Sequence, residues 1–273
     1  MAFVADAFES VVDAVVDVVE TVVDSVTYLV TGNYEGDNGD NTFTAVGLGL
    51  WGGGVNVYGG NDTVYAASLK LDVYDTWGNL SVHGAAGFMN INKSAWGNMT
   101  VSGLAGATNL QHTGRTGNID FTGVAASNYL YRQGYSGNIS FTGAGISNRV
   151  ISKVRYGNIS FTGAGASNVV ERIGGDQGDI HFTGIGAYNK VTNSASRGSI
   201  YFTGGIGAYN KVERRGIREY FIYRCWHIQP QSKIRQYFIT GAGASNVVER
   251  IGGDQGDIHF TGIGAYNKVT NSK

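Results

Sequence analysis

The sequence predicts an all-β chain whose ~20-residue repeats stack into a β-solenoid or β-roll, preceded by an N-terminal amphipathic helix. Three observations carry this. A Gly-headed unit recurs from Gly78 onward at spacings of 19 to 21 residues. Inside each unit, apolar residues alternate with polar ones. Helical period appears only in the first thirty residues.

Residues 1–30 form the first segment. Asp6, Glu9, Asp13, Asp17, Glu20 and Asp24 recur every three or four positions, and Val11, Val12, Val15, Val16, Val19, Val22, Val23 and Val26 fill the other side. The spacing predicts an amphipathic helix over 4–29 with one acidic stripe. Its many Val residues lower its intrinsic helix propensity, so it needs a surface to lie on. A cap over the first coil is the main expectation; a second copy and a membrane are the alternatives. Residues 31–77 are rich in Gly, Asn and Asp and read as lead-in strands between tight turns, as in Val55-Asn56-Val57-Tyr58 and Leu69-Lys70-Leu71-Asp72-Val73.

Residues 78–212 hold the tandem repeat. Eight units begin at Gly78, Gly97, Gly117, Gly137, Gly157, Gly178, Gly198 and Gly256. Two residues later stands Leu80, Met99 or an Ile; four later stands Val82, Val101, Phe121, Phe141, Phe161, Phe182, Phe202 or Phe260; six later stands Gly in every unit. Period-two spacing turns the Ile and Phe side chains to one face of a half-buried strand, and the Gly after them permits a turn. Thirteen residues after the first Gly, seven of the eight units carry an apolar anchor such as Ile91, Leu130 or Val170, which marks a second strand. One unit cannot bury its own inner face, so stacking must align these positions into columns, with coils ~4.8 Å apart. Asn109, Asn128, Asn148, Asn168, Asn189, Asn210 and Asn267 sit at or beside the second strand and are read as a hydrogen-bonding ladder.

Residues 213–239 break the pattern with the only Cys (Cys225) and the only Pro, and read as an atypical basic and aromatic junction without an evolved role. Residues 240–273 are a duplicated copy: Thr240–Ser272 repeats Thr162–Ser194 without a difference. Net charge is −1, yet no Lys or Arg precedes Lys70, so an acidic head leads a mildly basic body. A single Cys excludes a disulfide framework. The N-terminus shows no basic region ahead of an apolar core, so no signal peptide is expected, and no apolar run reaches transmembrane length.

The units Gly157–Asn168 (GNISFTGAGASN) and Gly178–Asn189 (GDIHFTGIGAYN) resemble the glycine-rich N-terminal repeats of multifunctional-autoprocessing RTX toxins. So do Thr31-Gly32-Asn33-Tyr34, Gly84-Ala85-Ala86-Gly87 and Ile91-Asn92-Lys93-Ser94. The resemblance covers residues 27 to about 212 and again 240–273. It implies a very large secreted toxin whose repeats engage the target-cell membrane and help deliver effector domains, with no nucleic-acid partner. No effector domain, autoprocessing protease or C-terminal secretion signal is present, so the chain reads as an N-terminal fragment. It also implies calcium, which RTX proteins bind in Gly- and Asp-rich turns. Asp37, Asp40 and Asp62 are the candidates, against the simpler reading of Asx-turns; the later units carry Gly-Asn there instead.

No nucleophile triad, carboxylate pair or phosphate loop assembles from these residues, and no enzymatic activity is expected. The five histidines, His83, His112, His181, His227 and His259, lack metal spacing and are read as surface strand positions. Thr122, Thr142, Thr162, Thr183, Thr203 and Thr261 form one Thr rank, which raises an ice-binding solenoid as a minor alternative. The stalk of a bacterial surface adhesin is the larger alternative.

Overall fold

The computed structural model describes residues 33–47, 54–204, 209–214, 221–223, 227–230, 236–242, 245–251, 257–263 and 266–272, with side chains described over 33–44 and 54–203. The helix expected at 4–29 lies outside the described residues. Among the described residues every element is a strand, and every pairing is parallel. Short strands β1 (Tyr34–Glu35), β2 (Thr42–Gly47) and β3 (Val55–Tyr58) begin the stack. In β4 (Asn61–Asp75), β5 (Asn79–Lys93), β6 (Met99–His112) and β7 (Ile119–Ser136) one continuous strand passes around the first bend of each coil. Later coils split there: β8 (Ile139–Ala144) and β9 (Ser147–Tyr156), β10 (Ile159–Ala164) and β11 (Ser167–Arg172), β12 (Ile180–Ile185) and β13 (Tyr188–Asn193), β14 (Ile200–Gly204) and β15 (Tyr209–Arg214). First strands pair with first strands and second with second, which is the topology of a parallel β-solenoid.

Register puts like on like. Ile139, Ile159, Ile180 and Ile200 are successive partners, as are Phe121, Phe141, Phe161, Phe182 and Phe202. All are buried. The phenyl rings stack nearly parallel, with centroid separations of 5.2, 4.7, 4.9 and 4.6 Å along the column. Across the coil, Leu130, Val150, Val170 and Val191 make the opposing column. Six unit-leading glycines, Gly78, Gly97, Gly117, Gly137, Gly157 and Gly198, are required by contact as well as by conformation. At Gly137 φ is 154°, and an added Cβ would overlap the carbonyl oxygen of Gly117, the equivalent residue one coil away.

The array departs from the expected boundaries. No break falls at 77/78: Val64 pairs with Val82 and Val73 with Ile91, so residues 61–75 are already a full coil. The repeat signature is hidden there because Asp62 takes the place that Leu80 fills one coil later. The junction also continues the stack. In β16 (Phe221–Tyr223) Ile222 pairs with Phe202, and in β17 (His227–Pro230) Ile228 pairs with Val212. The copy follows in β18 (Gln236–Ala242), β19 (Ser245–Ile251), β20 (Asp257–Ile263) and β21 (Tyr266–Ser272), with Ile239 opposite Phe260.

Phe161 touches aromatic rings on both sides, so its truncation opens a cavity that neighbouring coils cannot close. Phe161→Ala is expected to lower stability by about 3–5 kcal/mol in urea denaturation. A loss under about 1 kcal/mol would show that the ring column does not carry the core.

Candidate functional site

At the first bend, Asn128, Asn148, Asn168 and Asn189 are buried and joined amide to amide. Each Nδ2 donates to the next Oδ1, at 2.7, 2.8 and 2.7 Å. The second Nδ2 hydrogen of the first three reaches the bend carbonyls of Ala144, Ala164 and Ile185. An amide is suited to such a column because it both donates and accepts, so identical residues satisfy one another. Asn109 is not part of it. Register places Thr108 on Asn128, and Asn109 lies one position out, where its Nδ2 donates to Asn90. Two adjacent positions on a strand face opposite ways, and the sequence carries the offset: Asn109 stands twelve residues after its first Gly, whereas Asn128, Asn148, Asn168 and Asn189 stand eleven after theirs.

At the second bend a column unforeseen from the sequence turns inward. Asp75, Lys93, His112, Arg132, Ser152, Arg172 and Asn193 are successive partners and all are buried. His112, Arg132, Arg172 and Asn193 hold carbonyls and amides of the loops that close the coils, while Lys93 pairs with Asp75. Arg132 donates through Nε to Gly117 O at 2.7 Å, through Nη1 to Gly114 O at 2.7 Å and through Nη2 to Ser136 O at 2.8 Å. Asn193 donates to Gly178 O at 2.9 Å and accepts from Ala195 N at 3.0 Å. His112 does the same work with two ring nitrogens: Nε2 contacts Gly97 O at 2.7 Å and Nδ1 accepts from Gly114 N at 3.1 Å. This fixes the neutral tautomer protonated on Nε2. Burial, and then the nearby Arg132, hold its pKa at about 4. The surface position expected for His112 is therefore corrected. His83 and His181 lie further out, stacked on Tyr65 and Tyr201. The one signal available was a polar residue two positions after each apolar anchor, which on a strand points to the same face.

The three acidic candidates do not share one cage. Asp37 Oδ1 accepts from Gly39 N and Asn41 Nδ2, which is an Asx-turn, and Asp40 Oδ1 accepts from Asn61 N. Both are exposed, whereas Asp62 is buried and accepts from Asn41 N. Among the described residues no group of three or more His, Cys, Asp or Glu side chains could hold a metal ion. The residues present do not fit the calcium that the resemblance implies. Asp62 instead faces the buried Lys93–Asp75 ion pair. Burial lifts its pKa to about 7; repulsion from Asp75 and Asp40 adds to this, and Asn41 N–H and Lys93 oppose it.

Outside, the coils present three surfaces. The first bend is an edge without charge: residues 84–89, 103–108, 123–128, 143–148, 163–168 and 184–189 contain no Lys, Arg, Asp or Glu. Leu104, Val124, Ile146 and Ile185 stand out from it, Ile146 at 68% exposure. The Thr rank lies on the adjoining face; beside it, Ser140, Ser160, His181 and Tyr201 form a mixed row. At the second bend lies a shallow groove of about 620 Å³ along Gly97, Gly117, Gly137 and Gly157. Its rim is the turn ladder in which Asn118 N, Asn138 N and Asn158 N donate to Asn98, Asn118 and Asn138 Oδ1 at 3.0, 2.9 and 2.8 Å.

These features define a parallel β-solenoid repeat protein held by stacked side-chain ladders. No protein-family model, curated protein or solved structure matches the chain.

Two outcomes test the buried polar groups. His112 has a lower pKa folded than free, so its contribution is intact above about pH 6.5 and is lost as pH falls toward 4. His112→Asn, which copies Asn193, is expected to fold and to flatten the fall in melting temperature over that window. Asp62 has a raised pKa, so its burial costs little below about pH 4 and progressively more up to about pH 7. Asp62→Asn is expected to stabilise the chain at about pH 8 by on the order of 2 kcal/mol and to change little at about pH 4, read by thermal melts.

Proposed function

We propose that the chain is a non-catalytic repeat region of a secreted RTX-type toxin, a rigid rod whose uncharged bend engages the target-cell membrane during delivery. The observation that carries this reading is the edge at the first bend. It presents Leu104, Val124, Ile146 and Ile185, exposed on four of its coils, with only Gly, Ala, Ser and Asn on the coil between Ile146 and Ile185 and no charged residue among them. Exposed apolar strips of this length are rare on soluble monomers and mark contact surfaces. Because the bend amides below are satisfied by the Asn ladder, the edge offers apolar side chains while the backbone polar groups at Ala144, Ala164 and Ile185 already have partners. That lowers the cost of placing it in a lipid interface. The resemblance of the repeats to those of multifunctional-autoprocessing RTX toxins supports the same reading. Among the described residues no helix is long and apolar enough to cross a membrane, so the proposed contact is interfacial.

Vesicle flotation tests it. The full chain is expected to float with phosphatidylcholine vesicles. Val124→Asp combined with Ile146→Asp should reduce bound protein at least about tenfold, since each buried charge costs about 2.5–3.5 kcal/mol in lipid. Absence of flotation with both neutral and anionic vesicles would remove this reading.

A further inference from the structure

We propose that the groove at the second bend is a binding site for a neutral glycan chain lying along the solenoid axis. It sits at the other end of the first strand from the apolar edge and does not depend on the membrane reading.

The groove exists because of one pattern. The residues preceding the first Gly of successive units are Trp96, Thr116, Ser136 and Tyr156, and they stack in this order. Two small hydroxyl residues thus lie between two aromatic ones. Trp96 is 66% exposed, the least covered of the large apolar residues on this side. Tyr156 is fixed at the far end: its hydroxyl donates to Asp176 at 3.1 Å and its ring meets Tyr135 edge-on at 5.5 Å. Trp96 and Tyr156 are three coils apart, ~14 Å at the parallel-strand spacing. The floor between them is glycine backbone, from Gly97 to Gly157.

The rim supplies donors. Each Asn Oδ1 in the turn ladder is taken by the next coil's N–H, which fixes the amide orientation and leaves Nδ2 facing out. Asn98, Asn118 and Asn138 therefore present one amide donor per coil, ~4.8 Å apart. Thr116 and Ser136 add hydroxyls. No charged side chain lines the groove.

This inventory selects among ligands. Phosphate-bearing chains need cations; the lining holds none, and Arg155, which lies over the Tyr156 ring, is already paired with Asp176. An extended peptide repeats its outward groups every ~6.6 Å, out of step with donors ~4.8 Å apart, and it needs a free strand edge, while these backbone groups pair along the axis. A pyranose chain matches on each count. Its units advance by about one coil, its hydroxyls accept from amides and exchange bonds with Thr and Ser, and the C–H face of a sugar ring packs flat on indole or phenol. Aromatic platforms with a few placed polar groups are what such shallow recognition uses.

The test uses the full chain on an immobilised panel of neutral glycans covering α- and β-glucans, mannans, galactans and chitin, with sulfated and sialylated chains alongside, followed by calorimetry with a hexasaccharide of any class that binds. Saturable binding to at least one class is expected. Trp96→Ala, and Ser136→Trp, which fills the groove, should each weaken it about tenfold or more. Trp96→Phe should stay within about threefold of the parent, and Thr162→Ala, on the flat Thr face, should not differ from it. Circular dichroism confirms that each variant keeps its strands. The proposal is overturned by no saturable binding across the panel, by binding that survives both Trp96→Ala and Ser136→Trp, or by binding confined to sulfated or sialylated chains.

Discussion

Axial stacking sets the terms for the side chains of the described coils. Backbone hydrogen bonds run from coil to coil, so the nearest neighbours of a residue are the residues at the same place above and below it. A position is stable only if its occupants tolerate one another at ~4.8 Å. Phenyl rings meet this condition by stacking in parallel, and branched aliphatic residues meet it by packing. Asn meets it because an amide is complementary to itself. Gly meets it where the backbones come so close that no Cβ fits.

Charge does not meet it, and the inward column at the second bend shows how the fold manages that conflict. Lys93, His112 and Arg132 follow one another without a gap. The conflict is eased differently at each step. Lys93 is paired with Asp75 and His112 is held neutral by burial and by Arg132, while Arg132 keeps its charge, surrounded by the loop carbonyls it donates to, with its pKa lowered to about 10 by burial. Ser152 then separates Arg132 from Arg172. What these residues gain is the set of loop carbonyls that a glycine-rich turn leaves without strand partners. The guanidinium of Arg132, with several donors in one plane, satisfies carbonyls of both its own and the preceding coil. The accommodation is incomplete at Asp75 and Ser152 within the column and at Asp62 beside it, each of which buries one oxygen without a hydrogen-bond partner.

The two bends consequently present different surfaces. At the first, buried amides satisfy the backbone from within, and the outside is free to be apolar. At the second, the turn is held from within by the inward column and from outside by the Asn rim, which leaves polar donors and aromatic rings on display. The apolar edge and the polar, aromatic edge share no residues, so the two proposed contacts do not compete.

The sequence by itself determined the coil. Its period, its parallel stacking, the inward Ile and Phe columns and the amide ladder from Asn128 to Asn189 all follow from residue alternation and repeat spacing, because each is a relation between equivalent positions. The tertiary structure alone decided what the bend residues bond. Alternation past Leu110 and Leu130 turns His112 and Arg132 to the inner face, but the carbonyls and amides they meet there depend on the path of the backbone through the glycine-rich turn that follows. The same holds for the coil hidden behind Asp62 and for the groove between Trp96 and Tyr156. Each is made by residues from different coils, and their juxtaposition is fixed only when the register is set by contact.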